Sequence, residues 1–289
     1  MQNPLPRDRF RWLKKDDNQR SILVNKLKSG KLPKFSKDTG YIIEVNLHIP
    51  KNLQQKFDEF PLAPENRSVI SKELSPIQIA QFKKIYTGLD LPEKASENSK
   101  KLISDLNDKE KYVIHHQYLD LLMRNGYVVT SVDRVMLFRE SKFLLPWIDH
   151  CTKSRSEARK KSDEAGSDFW KLAANAVYGK FIENVRRYKV YKICDGSAEN
   201  HQKSVSKPLW VSSTYINKDM SIEEFLPKIV EFDKCLAVGL AILDISKMHM
   251  ACFYYEVLKS VFGDRCGLIY TDTDSFILKL FSHGKFSMM

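Results

Sequence analysis

The sequence has no run of the roughly 20 consecutive apolar residues that a membrane-crossing helix needs, and its opening, MQNPLPRDRFRW, lacks the apolar block of a signal peptide. Both absences point to an intracellular protein of unassigned compartment, without a membrane partner. Cysteines are few and odd in number: Cys151, Cys194, Cys235, Cys252 and Cys266 include no C-x-x-C pair. That excludes the usual spacing of a structural zinc site, and an odd count cannot close a full disulfide framework, so reduced and mostly buried thiols are expected. The seven histidines show no ligand spacing beyond the adjacent His115 and His116, which the pattern places on a strand. Acidic residues are also short, 36 against 47 Lys and Arg, which leaves a net charge of +11. A polyanionic partner suits that balance, although proteins without one show it too.

What remains is an ordinary globular composition, 43% hydrophobic over 289 residues, enough for one large domain or two modest ones. The first forty residues, with Pro4, Pro6, Gly30 and Pro33, read as irregular backbone with one short helix near Arg20 to Leu27. GYIIEVNLHI (40–49) alternates as a half-buried strand ended by Pro50, and a polar, proline-bearing connection follows. Ile77 to Leu89 has helical spacing, and the polar stretch from Pro92 to Asp108 reads as an exposed loop. From Lys111 the pattern is strand, helix stopped by Gly126, and strand. Residues 143–163 and 167–184 are helical with a break near Gly166, 186–194 return to strand, and 240–262 form an apolar core helix carrying Leu243, Met250, Tyr254, Val257 and Leu258. The fold class is therefore α+β. Trp12, Trp147, Trp170 and Trp210 are assigned to packing rather than to base stacking.

Near the end, CGLIY, TDTD and SFILKL read as strand, tight turn, strand. Alternation on the flanking strands would turn Asp272 and Asp274 to one side. Two carboxylates so close repel unless a cation lies beside them, and a hard ion such as Mg²⁺ takes carboxylate and phosphate oxygens. Metal-assisted phosphoryl or nucleotidyl transfer follows. The alternative is an acidic hairpin turn with no metal, since Asp and Thr favour turns by themselves.

Earlier, KLAANAVYG (171–179) sets Lys171, Asn175 and Tyr178 at i, i+4 and i+7, one helical face that extends back to Ser167, Glu164 and Lys160. A cation, an amide and a phenol in register offer charge for phosphates and a flat ring for a sugar or base. The same face could equally be solvated. Residues 151–192 carry eleven Lys and Arg against five Asp and Glu, so over half the net charge lies here.

Two motifs carry a family resemblance. YTDTDS (270–275) resembles the C motif of family B DNA polymerases, Y-x-D-T-D-S, and KLAANAVYG resembles their B motif, K-x-x-x-N-S-x-Y-G, with Ala176 at the serine position. GYIIEVNLHIP with FPLAPE, KYVIHHQYLDLLMRNG, RVMLFRESKFLLPWID, KFIENVRR and AILDISKMHM resemble, in the same order, stretches of the protein-primed branch found in Maverick/Polinton-like elements and linear plasmids. The resemblance covers nearly the whole chain. It implies a two-metal nucleotidyl transfer with Mg²⁺ as cofactor, in which Asp274 bridges the ions and Asp272 tunes the site. It further implies that Lys171 neutralises the incoming triphosphate, Asn175 and Tyr178 shape the nucleotide pocket, and Gly179 permits close backbone approach. Arg159 or Lys160 would be a second phosphate-binding cation. Lys180, Arg186, Arg187, Tyr270 and Thr271 would meet DNA.

The implied partners are a DNA template-primer, deoxynucleoside triphosphates and a terminal protein that supplies the priming hydroxyl. By the same resemblance, residues 1–145 form a palm segment with an inserted subdomain of terminal-protein-region type. Residues 146–185 form the fingers, and 186–289 return to the palm with a small insertion near 196–232. The opening resembles the segment that follows the family's A motif, D-x-x-x-L-Y; that motif, the exonuclease motifs and a thumb are not in these 289 residues. The two-ion site is then incomplete in this chain, and the expected activity is that of a DNA-directed DNA polymerase in protein-primed replication. The alternative is a catalytically inactive, nucleic-acid-binding remnant of such an enzyme. A metal-binding protein unrelated to nucleotides explains Asp272 and Asp274 but leaves the cationic helix without a role.

Overall fold

The computed structural model describes residues 1–33, 35–69, 71–86, 100–195 and 197–281. Two compact units are present, one formed by residues 3–143 with 240–289 and the other by 144–239. Each combines antiparallel strands with packed helices, so the fold is α+β.

The first unit is organised by β1 (Leu5–Trp12), α1 (Asn18–Lys28), β2 (Thr39–His48), α2 (Lys51–Phe57), β3 (Glu65–Arg67), α3 (Pro76–Ile85), β4 (Lys101–Ile103), β5 (Lys109–His115), α4 (His116–Arg124) and β6 (Val128–Ser141). The main sheet has the order β1-β6-β2-β5, with every pair antiparallel. Since β2 lies between two neighbours, Tyr41, Ile43, Val45, Leu47 and Ile49 enter the main core, while Ile42 and Glu44 on its other face are buried as well. It is thus buried on both faces rather than half-buried, and each fully buried aliphatic side chain contributes about 1.5–3 kcal/mol. Leu23 and Leu27 of α1 and Tyr118, Leu119, Leu121 and Leu122 of α4 complete the cluster.

Several local expectations change. The irregular opening contains β1, an edge strand in which Pro6 is tolerated because edge positions need not donate. Pro50 ends β2 and immediately starts α2, where the missing N–H costs nothing. The helix expected over 77–89 is α3, and residues 87–89, like 92–99 of the expected loop, lie outside the described residues. Within that loop stretch, β4 pairs with β3, held by Arg67, whose guanidinium reaches Asp105 at 2.7 Å and Glu73 at 2.8 Å. Lys109, fully buried, pairs with the same Asp105. His116 opens α4 instead of continuing the strand.

In the second unit α5 (Leu145–Lys160) and α6 (Glu164–Phe181) form a helical hairpin. The break falls at 161–163, where Ser162 has φ 56°, and not at Gly166. Asp163 caps α6 by accepting the Gly166 N–H at 2.8 Å, which draws Gly166 into the first turn. Beyond them, β7 (Val190–Asp195), α7 (Ala198–Val205), β8 (Trp210–Asn217) and β9 (Met220–Phe225) make a three-stranded sheet ordered β7-β9-β8. At its centre Glu223 is fully buried and accepts from Trp210 Nε1 at 3.0 Å and from Ser213 and Ser221.

α8 (Leu236–Cys252) continues through a π-helical stretch, Phe253–Leu258, into α9 (Lys259–Phe262). Leu236–Arg265 contains, among the described residues, one helix long and apolar enough by composition to cross a membrane, with a mean hydropathy of 1.5 over an 18-residue window. Its place in the fold explains part of that composition: Ala241, Ile245, Ala251, Tyr254 and Leu258 are buried, while Leu236, Phe253 and Val261 are exposed. Asp244, also buried, accepts the His115 N–H at 2.9 Å. Leu243 and Val257, expected in the core, are exposed instead. So are Trp12 and Trp147, while Trp170 and Trp210 are half-buried, so no tryptophan is a core residue. All five cysteines are free thiols, and only Cys151 and Cys266 are buried.

Candidate nucleotide and metal site

β10 (Cys266–Asp272) and β11 (Ser275–Leu280) form a separate antiparallel hairpin. Asp272 pairs with Ser275, so the loop is only Thr273 and Asp274. Two-residue hairpins require positive φ at the first loop position, and Thr273 supplies it at 51°. Threonine is a poor residue for that conformation, because its branched Cβ crowds the backbone. The turn is therefore locally strained, a condition that concentrates at functional sites. Because the strand ends at Asp272, the direction of Asp274 is set by the turn and not by strand alternation.

Aromatic packing holds this turn in place. Phe276, one residue past the turn, meets Phe60 edge-on at 5.6 Å and Tyr254 at 5.5 Å. Tyr254 donates to Glu59, and Lys259 pairs with Glu59 at 2.8 Å while donating to the Cys266 carbonyl at 2.7 Å. Burial alone would raise the Glu59 carboxyl, but the bonds from Lys259 and Tyr254 outweigh it and hold it below the ordinary range. Within the turn, Ser275 Oγ donates to the Asp272 carbonyl at 2.9 Å, Thr271 Oγ1 to the Ser275 carbonyl at 3.1 Å and Thr273 Oγ1 to Asp272 Oδ1 at 3.0 Å. Asp272 and Asp274 are both exposed, and among the described residues neither forms an ion pair. Nor does a third carboxylate or imidazole join them within ligand distance there. Tyr270 is exposed beside them.

On α6, Lys171 and Asn175 are exposed and Tyr178 is half-buried. Among the described residues none of the three side chains has a hydrogen bond or ion pair within the chain. Ser167 and Glu164 share the helix, but Lys160 belongs to α5, so the continuous face stops at the turn around Ser162. Arg159 lines a groove of about 420 Å³ with Asp163, Glu164 and Asp168, three carboxylates that disfavour a phosphate there. Lys180 pairs with Glu183 at 3.1 Å, and Arg186 lies over the Phe232 ring at 4.9 Å. Arg187 is exposed. Gly179 is exposed too, and a Cβ built there meets nothing within 4 Å among the described residues. Sequence reasoning missed the strain at Thr273, although a two-residue loop between paired strands is itself the signal for positive φ.

Comparison with known proteins bears on the parts differently. Two solved structures of phi29 DNA polymerase are similar. One, a post-translocation binary complex with primer-template DNA, shares 14% identity at a TM-score of 0.47, over 96% of this chain and 35% of that one. An orthorhombic crystal form shares 15% at 0.42, over 88% and 34%. The chain spans about a third of the length of those structures. No curated protein matches it. The sequence profile of a family described as DNA polymerase type B, organellar and viral, matches residues 47–256, a stretch that includes all of α6 and ends before the acidic turn. With most of its length inside that match, the chain belongs to the organellar and viral type B DNA polymerases.

Proposed function

We propose that the chain supplies the nucleotide-binding helix and a metal-binding turn of a DNA-directed DNA polymerase acting in protein-primed replication. The observation that carries this reading is the pair Asp272 and Asp274, exposed on a strained two-residue turn with no cation from the described chain to offset them. Carboxylate oxygens on so short a turn fit a hard divalent ion, and Mg²⁺ is the ion that such donors and substrate phosphates share. Asp274 would hold it with Asp272 beside it; when bound, the ion supplies Lewis-acid activation of the attacking hydroxyl and the triphosphate.

The chain's own contribution is positioning. Lys171, with no intramolecular partner among the described residues, is free to take a triphosphate oxygen, whereas Lys180 is already engaged by Glu183. Asn175 and Tyr178 on the same face would bracket the sugar and base, and Gly179 leaves the backbone open to approach. Lys160 is the better second cation, since Arg159 faces three carboxylates. Arg186, Arg187, Tyr270 and Thr271 would contact DNA; residues 1–145, with an inserted subdomain of terminal-protein-region type, and 186–289, with a small insertion near 196–232, would serve as palm, and 146–185 as fingers. A terminal protein would provide the priming hydroxyl.

One observation favours the second reading, a nucleic-acid-binding remnant without catalysis: no third ligand group joins the two aspartates among the described residues. Primer extension on primed DNA with dNTPs and Mg²⁺ separates the two. The proteins compared are this chain, its Asp274→Asn variant and a chain extended at its N-terminus to include a D-x-x-x-L-Y segment. Extension that Asp274→Asn abolishes supports the polymerase. DNA binding without nucleotide addition by the folded, extended chain assigns the remnant instead.

A further inference from the structure

A second set of metal-type ligands sits in the main sheet, where the polymerase reading uses none of them. His115 closes β5 with its side chain wholly buried, and neither ring nitrogen has a hydrogen-bond partner. An imidazole sealed from water with both nitrogens unpaired is unfavourable and calls for a ligand. His116 opens α4, and its Nε2 lies 3.3 Å from Glu140 Oε2 on β6. One ligand atom from each of the three residues falls within 4.8 Å of the others.

We propose that His115, His116 and Glu140 bind a divalent transition-metal ion of the zinc type. Tetrahedral bonds of about 2.0–2.1 Å place neighbouring ligand atoms roughly 3.3 Å apart, which is the His116–Glu140 separation. Two imidazoles and one carboxylate select such an ion over Mg²⁺, which prefers oxygen alone. The rings are held: His116 packs on Tyr41 with centroids 4.9 Å apart, His115 lies parallel to Phe138, and the His115 backbone N–H is anchored on Asp244. Gly40 keeps the space open, because a Cβ there would lie 2.5 Å from Glu140 Oε2 and 3.0 Å from His116 Nε2. His116 and Glu140 also line a cavity of about 440 Å³ with Thr39, Tyr41 and Asp120, which offers a path in and room for a water as fourth ligand. The ion would tie the β5–α4 junction to β6.

The test is titration of the metal-stripped full chain with Co²⁺, followed by visible absorption, and with Zn²⁺, followed by calorimetry and thermal melting. The expected result is one equivalent bound, tetrahedral bands without thiolate charge transfer, a raised Tm, and no displacement by excess Mg²⁺. Glu140→Gln and His116→Ala should each weaken binding by on the order of tenfold or more, since loss even of outer-shell partners costs that much. Absence of stoichiometric uptake by the unaltered chain overturns the proposal. So does uptake with thiolate bands, which assigns the ion to cysteine, or uptake that both variants retain. Should either variant not fold, X-ray absorption on the unaltered chain decides by counting imidazole ligands.

Discussion

Gly179→Ala separates what the fold wants at that position from what the proposed nucleotide contact would want. The residue lies in the last turn of α6, exposed, and an added methyl meets nothing within 4 Å among the described residues. Glycine costs about 0.8–1 kcal/mol relative to alanine inside a helix, somewhat less near a fraying end, so the substitution should stabilise by roughly 0.5–1 kcal/mol. With an unfolding entropy of about 2.1 cal/mol/K per residue, residues 144–239 unfolding as their own unit would gain about 3–5 °C in Tm. If all 289 residues unfold together the gain shrinks to about 1–2 °C. A nucleotide that uses the bare backbone meets the methyl instead, and overpacking of about 1–3 kcal/mol lowers affinity about 5- to 150-fold. Calorimetry and anisotropy with a labelled dNTP measure the two effects on the same protein. A drop in Tm would show that the chain itself needs the glycine. A rise in Tm with unchanged nucleotide affinity would refute its role in backbone approach.

Two further predictions concern buried and half-buried carboxylates. Asp244→Ala removes the acceptor of the buried His115 N–H and should cost about 1–3 kcal/mol, whereas Asp244→Asn keeps an acceptor oxygen. Burial pushes the Asp244 carboxyl above its ordinary value, so the uncharged amide should be tolerated; denaturant melts that show equal losses for both variants would remove the hydrogen bond from the account. Acid should destabilise both units. Burial would raise Asp105 and Glu223, but hydrogen bonds outweigh it, from Lys109 and Arg67 in the first case and from Ser213 and Trp210 in the second, so both folded values lie below the ordinary ones. Their contribution is therefore complete above the unfolded values near pH 4 and is lost as pH falls through the lower folded ones. Tm measured downward from pH 7 should hold until about pH 4 and fall below it; a decline beginning near neutrality would point to other groups.

The parts that local pattern revealed are those where pattern and environment coincide. β2, α4, β6 and the β10–β11 hairpin announce themselves through alternation, helical spacing and turn residues, and α6 through Lys171, Asn175 and Tyr178 in register. What stayed hidden depends on partners distant in sequence. β1 is a strand because β6 offers it an edge, with Leu5 opposite Ser141 and Trp12 opposite Met136, and Pro4 before it and Pro6 within it mask that. β3 and β4 exist as a pair 36 residues apart, cross-braced by Arg67 and Asp105. Gly166 looked like a helix break, yet the local competition is won by the Asp163 cap. The His115–His116 pair was visible, but Glu140 reaches it only because β6 folds back beside β2, 24 residues later in the chain. Tryptophans read as packing residues are not in the core, because what covers a ring is set by tertiary neighbours: Trp12 and Trp147 are exposed, and Trp170 and Trp210 half-buried.

Thr273 and Gly179 each depart from the local conformational optimum, in opposite senses. At Thr273 a β-branched residue holds φ 51°, where glycine or asparagine would be comfortable. At Gly179 the reverse holds, since a residue that weakens a helix occupies a position whose surroundings would accept alanine. Neither choice improves the packing or hydrogen bonding of the described chain beyond the single bond from Thr273 Oγ1 to Asp272. Each departs from the local optimum on an element whose charged groups have no ion-pair partner among the described residues: Asp272 and Asp274 in one case, Lys171 in the other. Carboxylates lacking a cation and a cation lacking an anion are complementary needs. Under the proposed function, a divalent ion would answer the first need and a triphosphate oxygen the second.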